Sequence, residues 1–470
     1  MYYTLFTKDT SIHLMPTGCK LFKNIPATTG QYWRQQVWDL NNTGKEIVLC
    51  CLNGATLGDI KTSLFYKTSN TCNSESTIII ENFCNDLVDK GILIKAFKRV
   101  NSASKIKITG SNEYFYPQHM MIELTSRCNL KCIHCYRESE PTKDDELPLE
   151  ILISSLDELK NIGVNIVELT GGEPLMYYKA KEILLHCLKT FEGVALITNG
   201  TLIGEDILGI ISDYKDKFLI QVDLDGPNHE MHDMIRGSGS FTDVIRAIKL
   251  LVKHGIKTRV AMNVIPATFH KIEETADLAH SLGATWFNFS PVDSLGRAKN
   301  MDLTFSTEEV LSMIGEIPSK LDEKYPQMIK WAEQQKLLKQ KNVENNCGAG
   351  WRSFVLGPTG IIRPCPMLPE NYLSLGNIKN TPLLDVFSNP LTAFLYDLTS
   401  PRNELCGDCK TIYNCGYCFA RALFNQEKLG KSCDWALKTG LSNWWSPKNR
   451  DSNKSVICSK PSHTEYFTDQ

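Results

Sequence analysis

Met121-Ile122-Glu123-Leu124-Thr125-Ser126-Arg127-Cys128-Asn129-Leu130-Lys131-Cys132-Ile133-His134-Cys135-Tyr136 is a strand-like run that breaks into three closely spaced cysteines. The strand reading covers 121–125, and the same pattern returns at 166–170, 194–198, 218–224, 258–264 and 286–291. Amphipathic helical stretches such as 149–162, 178–191, 241–254 and 269–282 separate these runs. Six βα repeats of this length predict an α/β fold, a parallel, partial (β/α)6 TIM-like barrel over 119–305. Its active site should lie at the C-terminal ends of the strands.

The chemistry-bearing motifs fall at those ends. Cys128-x3-Cys132-x2-Cys135 follows the first strand. Three thiolates on a tight loop can ligate three irons of a cubane cluster and leave one iron without a protein ligand, unlike the four-cysteine ferredoxin run. An open iron is what a small molecule chelating through amine and carboxylate requires. Zinc is the other reading; it needs a fourth ligand, for which His134 is placed. The second strand ends in Gly171-Gly172-Glu173-Pro174, where paired glycines let backbone approach a ligand closely. The third ends in Thr198-Asn199-Gly200 and the fourth in Asp223-Leu224-Asp225-Gly226-Pro227, followed by His232 and Arg236. Asp225-Gly226-Pro227 also reads as plain turn chemistry.

Seventeen cysteines in 470 residues need sorting. Cys19, Cys50, Cys51, Cys72, Cys84, Cys187 and Cys458 are scattered and read as small buried hydrophobes or surface thiols. Seven more crowd the C-terminal part: Cys347, Cys365, Cys406, Cys409, Cys415, Cys418 and Cys433. In a reducing compartment such clusters bind metal more readily than they form disulfides, and zinc ribbons share the Cys-x2-Cys spacing. A net charge of -2 leaves no polyelectrolyte footprint, which disfavours nucleic acid as partner. The chain opens without a signal-peptide pattern, and no apolar run approaches the roughly 18 residues of a membrane span. A cytoplasmic enzyme is the expectation.

The remaining segments set the domain plan. Residues 1–100 carry short strands and three helical stretches in winged-helix (α+β) proportions, and 101–118 reads as a polar linker. A helical connection is expected over 306–341, a cysteine-rich domain over 342–445, and a flexible polar tail over 446–470.

Taken together, the cluster motif and the strand-end motifs resemble the radical S-adenosylmethionine superfamily, and the C-terminal cysteines resemble its SPASM extension. The resemblance implies that Cys128, Cys132 and Cys135 hold the redox-active cluster. It places Tyr136, Gly171, Gly172, Glu173, Thr198, Asn199, Asp223 and Arg236 around S-adenosylmethionine, with Asp223 at the ribose and Arg236 at the methionine carboxylate. It also implies two auxiliary clusters, making three 4Fe–4S clusters in all: Cys406, Cys409, Cys415 and Cys433 on one, and Cys347, Cys365 and Cys418 on the other. The N-terminal unit looks like the winged-helix module that binds leader peptides by strand addition. Gly110-Ser111-Asn112-Glu113, Glu138-Ser139 and Asn346-Cys347-Gly348-Ala349-Gly350-Trp351 look most like subtilosin-type maturases. This implies thioether formation in a ribosomally made, cysteine-containing precursor (a sactipeptide or ranthipeptide), with a flavodoxin or ferredoxin-type electron donor. Other radical peptide modifications, or a non-enzymatic iron–sulfur carrier, are the rival readings.

Overall fold

The computed structural model describes residues 1–5, 10–24, 35–68, 74–303, 305–306, 308–309, 312–329, 346–409, 412–415 and 418–445. Cys72, Cys458, the tail 446–470 and part of the helical connection, 330–341, lie outside them. The N-terminal unit consists of β1 (Tyr2–Leu5), β2 (Thr10–Met15), β3 (Gly18–Asn24), β4 (Gln35–Asn41), α1 (Asn42–Cys51), α2 (Leu57–Thr68), α3 (Ser74–Asp89), β5 (Leu93–Ala96) and β6 (Lys107–Gly110). Asn41 ends β4 and caps α1, its side chain accepting from the Gly44 amide at 2.9 Å. Ile12, Leu21, Ile47, Val48, Leu64 and Leu87 pack together with Cys19, Cys51 and Cys84, so those three cysteines are core residues.

Four strands form one sheet in the order β4-β3-β2-β6, and β1 pairs with β5. The segment 101–118 is therefore not a simple linker. Its β6 runs parallel to β2, with Ser11 opposite Lys107 and Leu14 opposite Gly110. Gly110 has φ +81°, and a Cβ there would come within 2.2 Å of the Leu14 carbonyl oxygen, so glycine is needed for the pairing. Lys45 of α1 donates to Asn112 at 3.0 Å and ties the segment down further.

Parallel strands need a long crossover between them, and from His119 onward the chain supplies one each time. Strands β7 (His119–Glu123), β8 (Ile166–Thr170), β9 (Gly193–Thr198), β10 (Phe218–Asp223), β11 (Thr258–Val264) and β12 (Trp286–Pro291) lie parallel in sequence order. Helices α4 (Leu149–Ile162), α5 (Ala180–Thr190), α6 (Glu205–Ile211), α7 (His229–Arg236), α8 (Ser240–Lys253) and α9 (Ile272–Ser281) connect them. Met120, Ile122, Val167, Leu169 and Val260 pack into the shared core with these helices. The opposite face carries polar residues: His119 meets Glu168 at 3.7 Å, and Gln221 donates to Asp223 at 3.2 Å. This face explains why β7 starts two residues before the expected 121–125. His119 does not look like a strand residue, yet a polar lumen accommodates it.

The cysteine-rich region joins the same sheet. Strand β13 (Ser353–Leu356) pairs parallel with β7, followed antiparallel by β14 (Ile361–Arg363) and β15 (Gly376–Asn377), giving nine strands. Edge strand β7 is thereby covered. Beyond the other edge, Asp293 takes both arms of Arg421, at 2.9 and 3.1 Å, from the helix Phe419–Leu429. The C-terminal region thus spans the opening of the partial barrel. Among the described residues, no helix is long and apolar enough to cross a membrane.

Candidate active site at the barrel mouth

The cysteine loop is held by main-chain bonds. The Gly172 amide donates to Thr125 O at 2.7 Å and the Glu173 amide to Arg127 O at 2.8 Å. A Cβ on Gly171 would meet Thr125 O at 2.5 Å, and one on Gly172 would meet Arg127 O at 2.2 Å. The close approach that these glycines permit is thus first to the cysteine loop itself. Gly172→Ala should therefore push that loop away, costing about 1–3 kcal/mol of stability and most of the cofactor affinity. Thermal unfolding together with cofactor titration checks this; unchanged values for both would refute it.

Glu173 is fully buried. Thr198 Oγ1 donates to it at 2.8 Å, the Asn199 amide at 2.9 Å and the Leu175 amide at 3.1 Å. Burial pushes its carboxyl up to about 7 despite these bonds. Its side chain locks the ends of β8 and β9 together. Asn199 extends the lock, donating to Asn129 Oδ1 at 2.9 Å and to Cys128 Sγ at 3.8 Å.

Arg236 donates from Nε to Asp225 at 2.6 Å and lies 3.1 Å from Asp223. Burial pushes the Asp225 carboxyl up, but Arg236, His134 and the hydrogen bonds from Arg236 and the Asn263 amide together hold the group below the usual range. For Asp223 burial prevails, and the carboxyl sits above it. His134 is buried with Nε2 3.8 Å from Asp225, and burial lowers it to about 4. Two aspartates facing one arginine, beside a neutral histidine, suit a cationic ligand better than a bare carboxylate.

Some contributors were not foreseen from the sequence. Arg297, beyond β12, donates to Cys132 O and to Ser139 O, each at 2.8 Å, and its amide donates to Cys135 O at 3.1 Å. Gly296, at φ +52°, lies so close that a Cβ would be 2.4 Å from Cys135 O. The signal available was a Gly-Arg pair just after the sixth strand, where barrel active sites are built. Tyr136, expected around S-adenosylmethionine, lines a cavity that faces residues 366–372.

The ten clustered cysteines fall into three spatial groups. Cys128 feels the charges of Cys132 and Cys135. Cys365 feels Cys418 and Cys347. Cys415 feels Cys433, Cys409 and Cys406, and accepts from Asn425 Nδ2 at 3.0 Å. Among the described residues, no group of three or more His, Cys, Asp or Glu closes on one point as a single bound ion requires. The fit to iron–sulfur clusters rests on the grouping and on its chemistry. Burial pushes Cys128 and Cys365 up to about 12, so a group that takes thiolates here must itself bring positive charge.

A parallel barrel with a three-cysteine loop at its mouth and a cysteine-rich domain across its opening defines an enzyme whose hard chemistry comes from bound cofactors. Residues 122–279 match the radical SAM superfamily, and 347–410 match an iron–sulfur cluster-binding domain, SPASM. The subtilosin biosynthesis protein AlbA of Bacillus subtilis is 36% identical over 343 residues, which are 72% of this chain and 75% of that protein. The sporulation killing factor maturation protein SkfB of the same species is 26% identical over 293 residues, covering 60% of this chain and 68% of SkfB. Streptococcus suis SuiB, solved bound to its precursor peptide SuiA, shares the fold: TM-score 0.60 at 17% identity, over 90% of this chain and 97% of SuiB. This chain belongs to the radical SAM, SPASM-bearing family of enzymes that includes AlbA. Iron–sulfur clusters and S-adenosylmethionine are accordingly its cofactors.

Proposed function

We propose that this enzyme joins a cysteine sulfur to a carbon of another residue in a ribosomally made precursor peptide. The observation that carries the reading is a single cavity walled by the residues after Cys135 on one side and after Cys365 on the other. Similarity to AlbA over most of both chains supports the substrate class. When bound, the clusters and S-adenosylmethionine supply a 5′-deoxyadenosyl radical and a place for the surplus electron.

The chain's own residues do the positioning. Cys128, Cys132 and Cys135 hold one 4Fe–4S cluster, while Gly171, Gly172, Glu173, Thr198, Asn199, Asp223 and Arg236 shape the cofactor's place. Cys406, Cys409, Cys415 and Cys433 hold a second cluster and Cys347, Cys365 and Cys418 a third. No cysteine occurs between Cys187 and Cys347, so the cysteine set leaves that third cluster one ligand short. Residues 1–100 bind the leader, for which β4 offers an edge strand. The electron comes from a flavodoxin or ferredoxin-type protein.

Anaerobic incubation with the precursor encoded beside the gene tests the reading. The expected product has lost two hydrogens and one alkylatable thiol. Loss of two hydrogens with every thiol still free would mean a carbon–carbon bond, and unchanged mass an epimerase; either result overturns the proposal.

A further inference from the structure

A cavity of about 380 Å³ lies at the barrel mouth, within the range of built ligand sites. Its walls include Tyr136, Arg137, Leu295, Met367, Glu370 and Phe424. Behind the wall runs a chain of alternating charges. Arg137 Nη2 lies 3.5 Å from Glu370 and 3.0 Å from Glu123, and Glu123 accepts from Arg363 at 2.6 Å. Glu123 and Arg363 have fully buried side chains, and Arg363 Nε and Nη1 have no hydrogen-bond partner. Fixing so many charges away from water costs several kcal/mol per ion before any gain, so the quartet is not explained by stability.

Two more observations point to the same wall. Glu138, beside Arg137, has φ +54°, and Leu373, three residues after Glu370, has φ +51°. Non-glycine residues pay for that conformation, and such strain collects where a ligand is gripped. Gly357 leaves room between the two arms, since a Cβ there would lie 2.3 Å from Glu370 Oε1 and 3.1 Å from Arg363 Nη1.

The contacts are graded. Glu370 is steadied by Thr359 Oγ1 at 2.7 Å, and Arg137 is held near Glu123 by charge at 3.0 Å, without hydrogen-bond geometry, while its hydrogen bond to Glu370 is long, at 3.5 Å. Opening it costs little and disturbs neither anchor. The quartet is neutral, and the cavity's other charges nearly balance: Lys143 and Lys299 against Glu138, Asp145 and Glu427. A charged side chain gains nothing in such surroundings. A peptide unit, which offers one donor and one acceptor, matches a carboxylate beside a guanidinium whose remaining N–H groups are unspent.

We propose that Arg137 and Glu370 form a slot for one main-chain peptide unit of the precursor's core, Glu370 accepting its N–H and Arg137 donating to its C=O. Glu123 and Arg363 are positioning residues behind the slot. The inference rests on the peptide-crosslinking reading and adds that the site grips backbone next to the reacting residue.

The test is an amide-to-ester scan along a synthetic, leaderless core peptide, with affinity for the holoenzyme read by fluorescence anisotropy. One ester position should weaken binding about tenfold in the wild type and leave it nearly unchanged in Glu370→Ala, because the lost N–H no longer has its acceptor. No sensitive position, or an equal loss in both proteins, would overturn the slot. Photo-crosslinking from p-benzoylphenylalanine in place of Met367 gives a second readout that does not depend on the alanine variant folding. Adducts on the core are expected, and adducts confined to the leader would overturn the assignment. An ester-sensitive position in a precursor that gains no thioether would sink the functional reading alone.

Discussion

Replacing Cys128, Cys132 and Cys135 together by alanine should abolish release of 5′-deoxyadenosine, with or without peptide. The loop that carries them is shaped mainly by bonds to its carbonyls, although Cys128 Sγ also accepts from the Leu130 amide at 3.4 Å and from Asn199 Nδ2 at 3.8 Å. Gly172 and Glu173 amides bind its Thr125 and Arg127 carbonyls, and Arg297 grips those of Cys132 and Ser139. Alanine leaves the bonds to these carbonyls in place and removes only the two long bonds to Cys128 Sγ, so metal-free variant and metal-free wild type should unfold at similar temperatures. If the wild type carries the three clusters proposed above, iron content should fall by about one third, because the C-terminal cysteines are untouched. Residual 5′-deoxyadenosine from the triple variant would contradict the assignment of the redox-active cluster to this loop. Loss of all iron would instead mean that the C-terminal cysteines do not hold clusters independently.

The barrel was legible because its signal is local and repeated. Strands β8, β11 and β12 and helix α4 begin and end where periodicity placed them. The crowding of the C-terminal cysteines was equally plain in the sequence, while their division between two clusters comes from the family resemblance alone. What the sequence hid depends on partners far along the chain. Strand β6 lies in a polar stretch, and only its pairing with β2, nearly a hundred residues earlier, makes it part of a sheet. Strand β13 extends the barrel sheet across a domain boundary for the same reason. Arg363 shows the limit of reading charges. In the run Ile361-Ile362-Arg363-Pro364-Cys365 it looks like a surface residue at a strand end, yet it is fully buried on Glu123 of β7. Arg297 is similar: an arginine after a glycine is an ordinary surface feature until the cysteine loop's carbonyls are found around it.

Arg236 separates the two kinds of knowledge most sharply. Family resemblance puts it at the methionine carboxylate, where its loss would weaken cofactor binding and leave the fold intact. The structure surrounds it with Asp225 at 2.6 Å and Asp223 at 3.1 Å, its own side chain only 5% exposed. Removing the cation from such a cluster strands buried carboxylates, which typically costs about 3–5 kcal/mol. Arg236→Ala should therefore destabilise the metal-free protein by about that amount in chemical denaturation, before any cofactor is added. Adding Asp223→Asn to the same variant removes one stranded charge and should restore about 1–2 kcal/mol, since residues sharing one network couple on that scale. Asp223→Asn alone leaves Arg236 on Asp225 and should cost much less. A variant Arg236→Ala that unfolds like the wild type, but binds S-adenosylmethionine far more weakly, would show that the arginine serves the cofactor rather than the barrel. The opposite pattern would make Arg236 a structural cation, one that keeps two acidic groups fixed at the fourth strand end where a cationic ligand can use them.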